Sequence, residues 1–336
     1  MENIADKKLL NCPTTDPNQI LPIKYHWSRV HYKNGVANSW TPEEVNMQKD
    51  VEMWRSPDAL TRQERRLVLR NMGFFSTAES LTANNIVLTI YRHITSPECR
   101  QYLLRQAYEE AVHTDTFIYC CDTLGLDPSE VYSMYREIPS IKDKDDFVLE
   151  ITRSILDPAF TTEGTANVRR FVHDTVGYYV VMEGIFFYAG FVMMLSFLRQ
   201  NKMVGVGEQF QFILRDESVH LAFGTDLINT IVRENPEIWT EEFKRTITGH
   251  IARGGPRARL RERLPPQRHS RPKRRLRASV RPIHRGPAVV AHQPARVVSR
   301  RQPVTLDERS DGPPQGEELL RDAGHRIPVG RDAPLG

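Results

Sequence analysis

The chain has 336 residues, enough for one large or two ordinary domains, and its 40% hydrophobic content is enough for a sizeable core. Its formal charge of +4 conceals a division: residues 253–336 carry 20 Lys+Arg against 8 Asp+Glu, which leaves 26 against 34 in residues 1–252, an acidic body with a basic appendage. Four cysteines, Cys12, Cys99, Cys120 and Cys121, exclude a disulfide framework and show no Cys-x-x-Cys zinc spacing, and the N-terminus MENIADKKLLNCPTTD has no apolar signal-peptide core, so a cytoplasmic protein is expected.

Residues 1–39, rich in Pro, Asn and polar residues, read as an irregular arm that wraps the body or pairs with a partner. Thr41 with Glu44 forms a capping-box pattern and Pro42 suits a first helical position, which predicts a short helix just after Trp40. Thr61 and Glu64 repeat the box before a longer helix that runs to about Ile94, with a break expected near Thr82-Ala83-Asn84-Asn85. Ser96-Pro97-Glu98 opens the next helix, which passes through Glu110 and His113 to about Thr123 and stops at Gly125. Shorter helical pieces with charged connectors fill 127–160. Two long helices come next, at about 165–200 and 206–233, the second closed by Asn235-Pro236, and another opens at Thr240. No strand alternation of useful length occurs, so the class is all-α.

Two of these helices carry the pattern Glu-x-x-His, as Glu110/His113 and Glu217/His220. Chance alone supplies roughly one such pair in a chain of this composition. The setting repeats as well: Glu79 lies 31 positions before Glu110 and Glu183 lies 34 before Glu217, each alone in an apolar run. Residues at i and i+3 share a helix face, so four helices could aim four carboxylates and two imidazoles at one point. A lone buried carboxylate is costly and finds a cation or neutralises. Two divalent ions would offset four such charges, which predicts a ferritin-like helix bundle with a buried dinuclear carboxylate site, Glu183 being expected as a bridging-type ligand. The run 178–197 is long enough to span a bilayer, but a central Glu there favours a buried bundle helix.

From residue 253 the text changes character: 12 of the 22 prolines and 19 Arg against one Lys, with no Phe, Trp or Tyr. Such a segment cannot repay its ordering entropy by burial, so a disordered tail is expected over 253–336, its abrupt start inside a well-begun helix pointing to a lost reading frame. A nucleic-acid arm is the alternative. The helix bearing Glu217 and His220 would then lack later elements to cover Leu221, Phe223, Leu227 and Ile231, and the chain as written is expected to be poorly soluble and inactive.

The stretches GFFSTAESLTANN, YLLRQAYEEAVHTDTF, VGYYVVMEGIFFYAGFVMMLSFLRQNKM and GEQFQFILRDESVHL closely resemble the radical-generating small subunit of class I ribonucleotide reductase, over roughly residues 20–252. The resemblance implies metal ligands Glu79, Glu110, His113, Glu183, Glu217 and His220, the set already reached from spacing, in a domain at 40–252. It places Phe117 where most of the family has the radical tyrosine, and Glu rather than Asp at 79. Both departures resemble the class Ic subgroup, which implies a Mn/Fe centre, with Fe/Fe as the alternative. Trp40 and Asp216 match the inner end of the family's radical-transfer path. A homodimer and a large catalytic subunit are the implied partners, with no membrane. A similar ligand-binding Mn/Fe oxidase without a large subunit, or a nucleic-acid-binding protein acting through its basic tail, is the rival expectation.

Overall fold

Side-chain caps open some of the helices, at Thr61, Ser96 and Asp127 among them. The computed structural model describes residues 7–12 and 19–257, all within one compact unit. Among the described residues there is no strand, only an isolated bridge between Leu10 and Ile94, so the class is all-α as expected.

The arm departs from the sequence reading, because His26–Ala37 is a helix, α1. No side chain caps it, so local signals do not announce it. Docking supplies what propensity does not: Ser28 Oγ donates to Glu98 O at 2.9 Å, and the Trp27 ring meets Phe223 at 5.5 Å. The Thr41/Glu44 box forms, but it nucleates only a 3-10 turn, Pro42–Glu44, since Val45 returns to extended backbone. Helix α2 then spans Gln48–Arg55.

Helix α3 begins at Arg62–Asn85 behind the second capping box, in which Thr61 N–H donates to Glu64 Oε2 at 2.8 Å and Glu64 N–H to Thr61 Oγ1 at 3.2 Å. The break expected at Thr82–Asn85 does not occur. The chain widens into a π segment, Ile86–Ile90, and finishes with Tyr91–His93. Helix α4, Pro97–Leu124, is capped by Ser96 and left at Gly125, as its sequence signals indicate. The stretch after it folds as α5, Pro128–Glu137, α6, Pro139–Ile151, and a short turn, Arg153–Leu156.

Helix α7 covers Thr165–Leu198 and is the one described helix long and apolar enough to cross a membrane by length and composition. Its middle, Gly177–Phe187, is π-helical, and it carries Glu183 into the bundle core. Helix α8, Val204–Glu234, lies against it, and α9, Glu241–Arg257, returns over the π segment. The body therefore stays helical past residue 253; the expectations for 258–336 lie outside the described residues.

One packing expectation is corrected at Phe223. Phe223, Leu227 and Ile231 of α8 are fully buried, and Leu221 is partly so. Earlier elements cover Phe223: Tyr102 of α4 stacks on it at 4.0 Å, and α1 brings Trp27. The sequence reading missed this because it had no helix in the arm.

Candidate metal centre

Helices α3, α4, α7 and α8 each deliver a glutamate to one place. Glu79, Glu110, His113 and Glu217 bring ligand atoms within 4.8 Å of one another, as do Glu110, Glu183, Glu217 and His220. All six residues are completely buried. Glu110 and Glu217 belong to both groups, whereas Glu79 and Glu183 each belong to one. The carboxylates common to both groups are therefore those of the two Glu-x-x-His pairs, whereas Glu183, expected as a bridging-type ligand, falls in one group only. The i, i+3 spacing explains it: each pair turns both side chains to the centre line of its helix, facing the other pair.

The donor set fits metal ions by what it leaves unsatisfied. Both oxygens of Glu79, Glu110 and Glu217, one oxygen of Glu183 and Nδ1 of both histidines are buried without a hydrogen-bond partner. Buried polar atoms are rarely left so. His113 Nδ1 lies 3.4 Å from Glu79, 3.5 Å from Glu110 and 3.2 Å from Glu217, while His220 Nδ1 lies 3.1 Å from Glu110 and 3.4 Å from Glu217. These distances put the two Nδ1 atoms among the carboxylates as co-ligands.

Electrostatics point the same way. Burial, then the charges of Glu110 and Glu217 against the pull of His113, drives the Glu79 carboxyl well above the usual range. Burial and the charge of Glu217 do the same to Glu183. Burial also opposes charge on Glu110, yet His220 and His113 hold it at about 2. Burial likewise disfavours charge on His113 and His220, but surrounding carboxylates outweigh it and raise both. Protons and divalent cations would therefore compete for this cluster.

Around the six, the structure shows residues that the spacing argument did not reach. Gln106 Nε2 donates to Glu183 Oε1 at 3.1 Å, and its Oε1 accepts from Tyr179 OH at 3.0 Å. Gln106 stands four before Glu110 and Tyr179 four before Glu183, so an i−4 search from each glutamate would have found them. Glu109 accepts from His220 Nε2 at 2.9 Å. Trp40 Nε1–H donates to Asp216 Oδ2 at 2.7 Å, and His113 Nε2 lies 3.5 Å from the same oxygen, so Trp40, Asp216 and His113 stand in line. Phe117 is fully buried, stacked on Phe75 at 5.6 Å and edge-on to Phe210 at 5.8 Å. The neighbouring Tyr119 turns away and donates to Val45 O at 3.3 Å.

Two Glu-x-x-His helices and two single-Glu helices closing on one buried point define a ferritin-like protein with a dinuclear carboxylate centre. Within that class the chain belongs to the ribonucleotide reductase small-chain family, whose model matches residues 17–254. It is 58% identical over 248 residues to the ribonucleoside-diphosphate reductase subunit beta of Chlamydia pneumoniae, covering 74% of this chain and 71% of that one. The corresponding subunit of Treponema pallidum (strain Nichols) is 27% identical over 250 residues, 74% of this chain and 68% of that one. Among solved structures, the ribonucleotide reductase R2 subunit from Clostridium botulinum superposes with a TM-score of 0.67 at 26% identity, covering 75% and 76% of the two chains.

Proposed function

We propose that this chain is the oxidant-generating subunit of a class Ic ribonucleoside-diphosphate reductase, with Glu79, Glu110, His113, Glu183, Glu217 and His220 holding a Mn/Fe pair. The observation that carries the reading is the pair of four-residue groups joined through Glu110 and Glu217. The bound pair supplies one-electron chemistry with dioxygen, leaving an oxidising equivalent in the site. The chain's residues do the rest. Carboxylates provide hard, anionic donors that can change their mode of binding, and Gln106 steadies Glu183 from one side. Phe117 and its aromatic neighbours offer no hydroxyl that could lose a hydrogen atom at that position. Trp40, 5% exposed, is the point of electron entry; its indole proton has Asp216 Oδ2 at 2.7 Å to receive it, and Asp216 leads on to His113. A large subunit that reduces ribonucleotides is the partner, a homodimer is the assembly, and the cytoplasm is the compartment.

The family match ends at residue 254, close to the change in composition at 253. This supports the reading that the frame is lost there and that the chain as written does not complete the reductase cycle. Intact-mass measurement with resequencing across codon 253 decides it; a natively expressed protein with the 336-residue mass would refute the lost frame.

Metal analysis after anaerobic loading tests the centre. The chain should take up two ions, Glu79→Ala or Glu183→Ala should keep one, and Glu110→Ala or Glu217→Ala should keep neither firmly. Two ions retained in all four variants would end the dinuclear reading. After exposure of the Mn/Fe-loaded chain to dioxygen, no tyrosyl signal should appear in its paramagnetic resonance spectrum. A strong one would refute the class Ic assignment.

A further inference from the structure

The two histidines of the centre are not held alike. An acid precedes each Glu-x-x-His, Glu109 before Glu110 and Asp216 before Glu217. Successive residues on a helix diverge by about 100°, so the acid beside each inward glutamate points sideways, toward the histidine of the other pair. Asp216 holds His113 only loosely: Oδ2 accepts from Trp40 Nε1 at 2.7 Å and lies 3.5 Å from His113 Nε2, which makes no hydrogen bond, while Oδ1 accepts from the adjacent Arg215 Nε at 3.3 Å. Glu109 is committed: Oε2 accepts from His220 Nε2 at 2.9 Å, and Oε1 accepts from Arg105 Nε at 3.0 Å. Arg105 in turn donates through its NH2 nitrogen to Gly35 O of α1 at 2.9 Å. An unbroken line of hydrogen bonds thus runs from the backbone of the N-terminal helix to a residue of the centre.

We propose that Glu109 is a positioning residue for His220, and that through Arg105 and Gly35 helix α1 governs the affinity of the metal position formed by Glu110, Glu183, Glu217 and His220. The proposal rests on the dinuclear reading. An imidazole that donates Nε2–H to Glu109 must present its Nδ1 lone pair to the centre, which is the tautomer a metal needs. Without that acceptor, either a buried N–H is orphaned or the proton moves to Nδ1, where the cation must bind. Arg105 is needed because Glu109 is itself buried, and a buried carboxylate without a cation is costly. Gly35 is needed because a Cβ there would stand 2.8 Å from Glu109 Oε1 and 3.2 Å from Arg105 Cγ. A side chain at 35 would therefore crowd Glu109 Oε1 and Arg105 and disturb the ion pair that steadies Oε2 against the imidazole, although residue 35 touches no residue of the centre.

The test uses the full chain and Mn(II) as probe, titrated anaerobically with free ion counted by paramagnetic resonance, so that no activity is needed. Wild type should bind two ions; fewer would refute the dinuclear reading and this proposal with it. If two bind, Glu109→Ala and Gly35→Ala should each weaken one step roughly 10- to 100-fold and leave the other unchanged. Glu109→Gln, which keeps an acceptor oxygen, should recover part of the loss. Thermal unfolding of the apo-proteins runs alongside. Equal weakening of both steps, as a merely structural role would produce, or two unaltered steps in folded Glu109→Ala, would overturn the proposal while leaving the dinuclear reading intact.

Discussion

Gly224 of α8 lies flat against the ring of Tyr179, and a Cβ at that position would fall 2.1 Å from Tyr179 Cγ and 2.5 Å from both Cδ atoms. Ordinary carbon contacts begin near about 3.5 Å, so Gly224→Ala must drive the ring away by more than 1 Å, roughly. Tyr179 is fully buried, so the ring cannot move without displacing its neighbours. Overpacking of this kind costs about 1–3 kcal/mol. For a body of this size each 1 kcal/mol lowers Tm by about 2–4 °C, so a fall of roughly 2–12 °C in the apo-protein is expected by calorimetry. A second effect arises from the hydrogen bond that the ring carries. Displacing Tyr179 frees Gln106, and Gln106 is what holds Glu183. Losing that link, about 0.5–1.5 kcal/mol, should weaken uptake at the Glu183 position several-fold. Adding Tyr179→Leu to Gly224→Ala should relieve the clash and restore part of the Tm while leaving metal uptake impaired. Wild-type Tm and two tightly held ions in Gly224→Ala would refute this account of α7–α8 packing.

Trp27→Ala should cost about 2–4 kcal/mol, read as a shift in the denaturation midpoint, because α1 then leaves Phe223 uncovered; an unchanged midpoint would deny α1 its structural role. Trp40→Phe should still load metal but slow electron entry from an external reductant during the dioxygen reaction roughly tenfold, and an unaltered rate in stopped flow would remove Trp40 from the path. His93 accepts from Arg92 Nε at 3.1 Å, and burial together with the Arg92 charge holds its pKa at about 4, below the usual 6.5. The unfolded chain takes that proton first on acidification, so the stability that neutral His93 contributes is whole above pH 6.5 and is lost as pH falls toward 4. His93→Gln should therefore show a shallower loss of Tm over that range, and parallel curves for the two proteins would contradict the assignment.

The clustering of the six residues was legible because its geometry is local: i, i+3 on one helix is a statement that sequence can make. Which carboxylates are shared was not, since that depends on how four helices meet. Glu109, Gln106 and Tyr179 were legible in principle, one or four residues from a glutamate already singled out, yet their partners lie 73 to 111 residues away. Helix α1 was the least legible element. It has no cap and few apolar residues, and forms through contacts with α4 and α8 that no window of sequence contains. The capping boxes show the converse. Thr61/Glu64 opens a long helix, while the same motif at Thr41/Glu44 yields one 3-10 turn, because Val45 leaves the helical region immediately after the box.

The π segment at Gly177–Phe187 gives the site a history as well as a shape. A wide turn is how a helix absorbs an extra residue while the turns on either side keep their facing. Glu183 sits inside such a turn, so its direction belongs to the insertion rather than to the regular pitch of α7. Removing one residue between 178 and 182 would let the helix relax toward ordinary pitch with the turns beyond keeping their facing, so the change would fall on the residues inside the segment, Glu183 and its contact with Gln106 among them. A length change in this stretch would therefore re-aim one carboxylate of the centre while the flanking turns of α7 keep their packing.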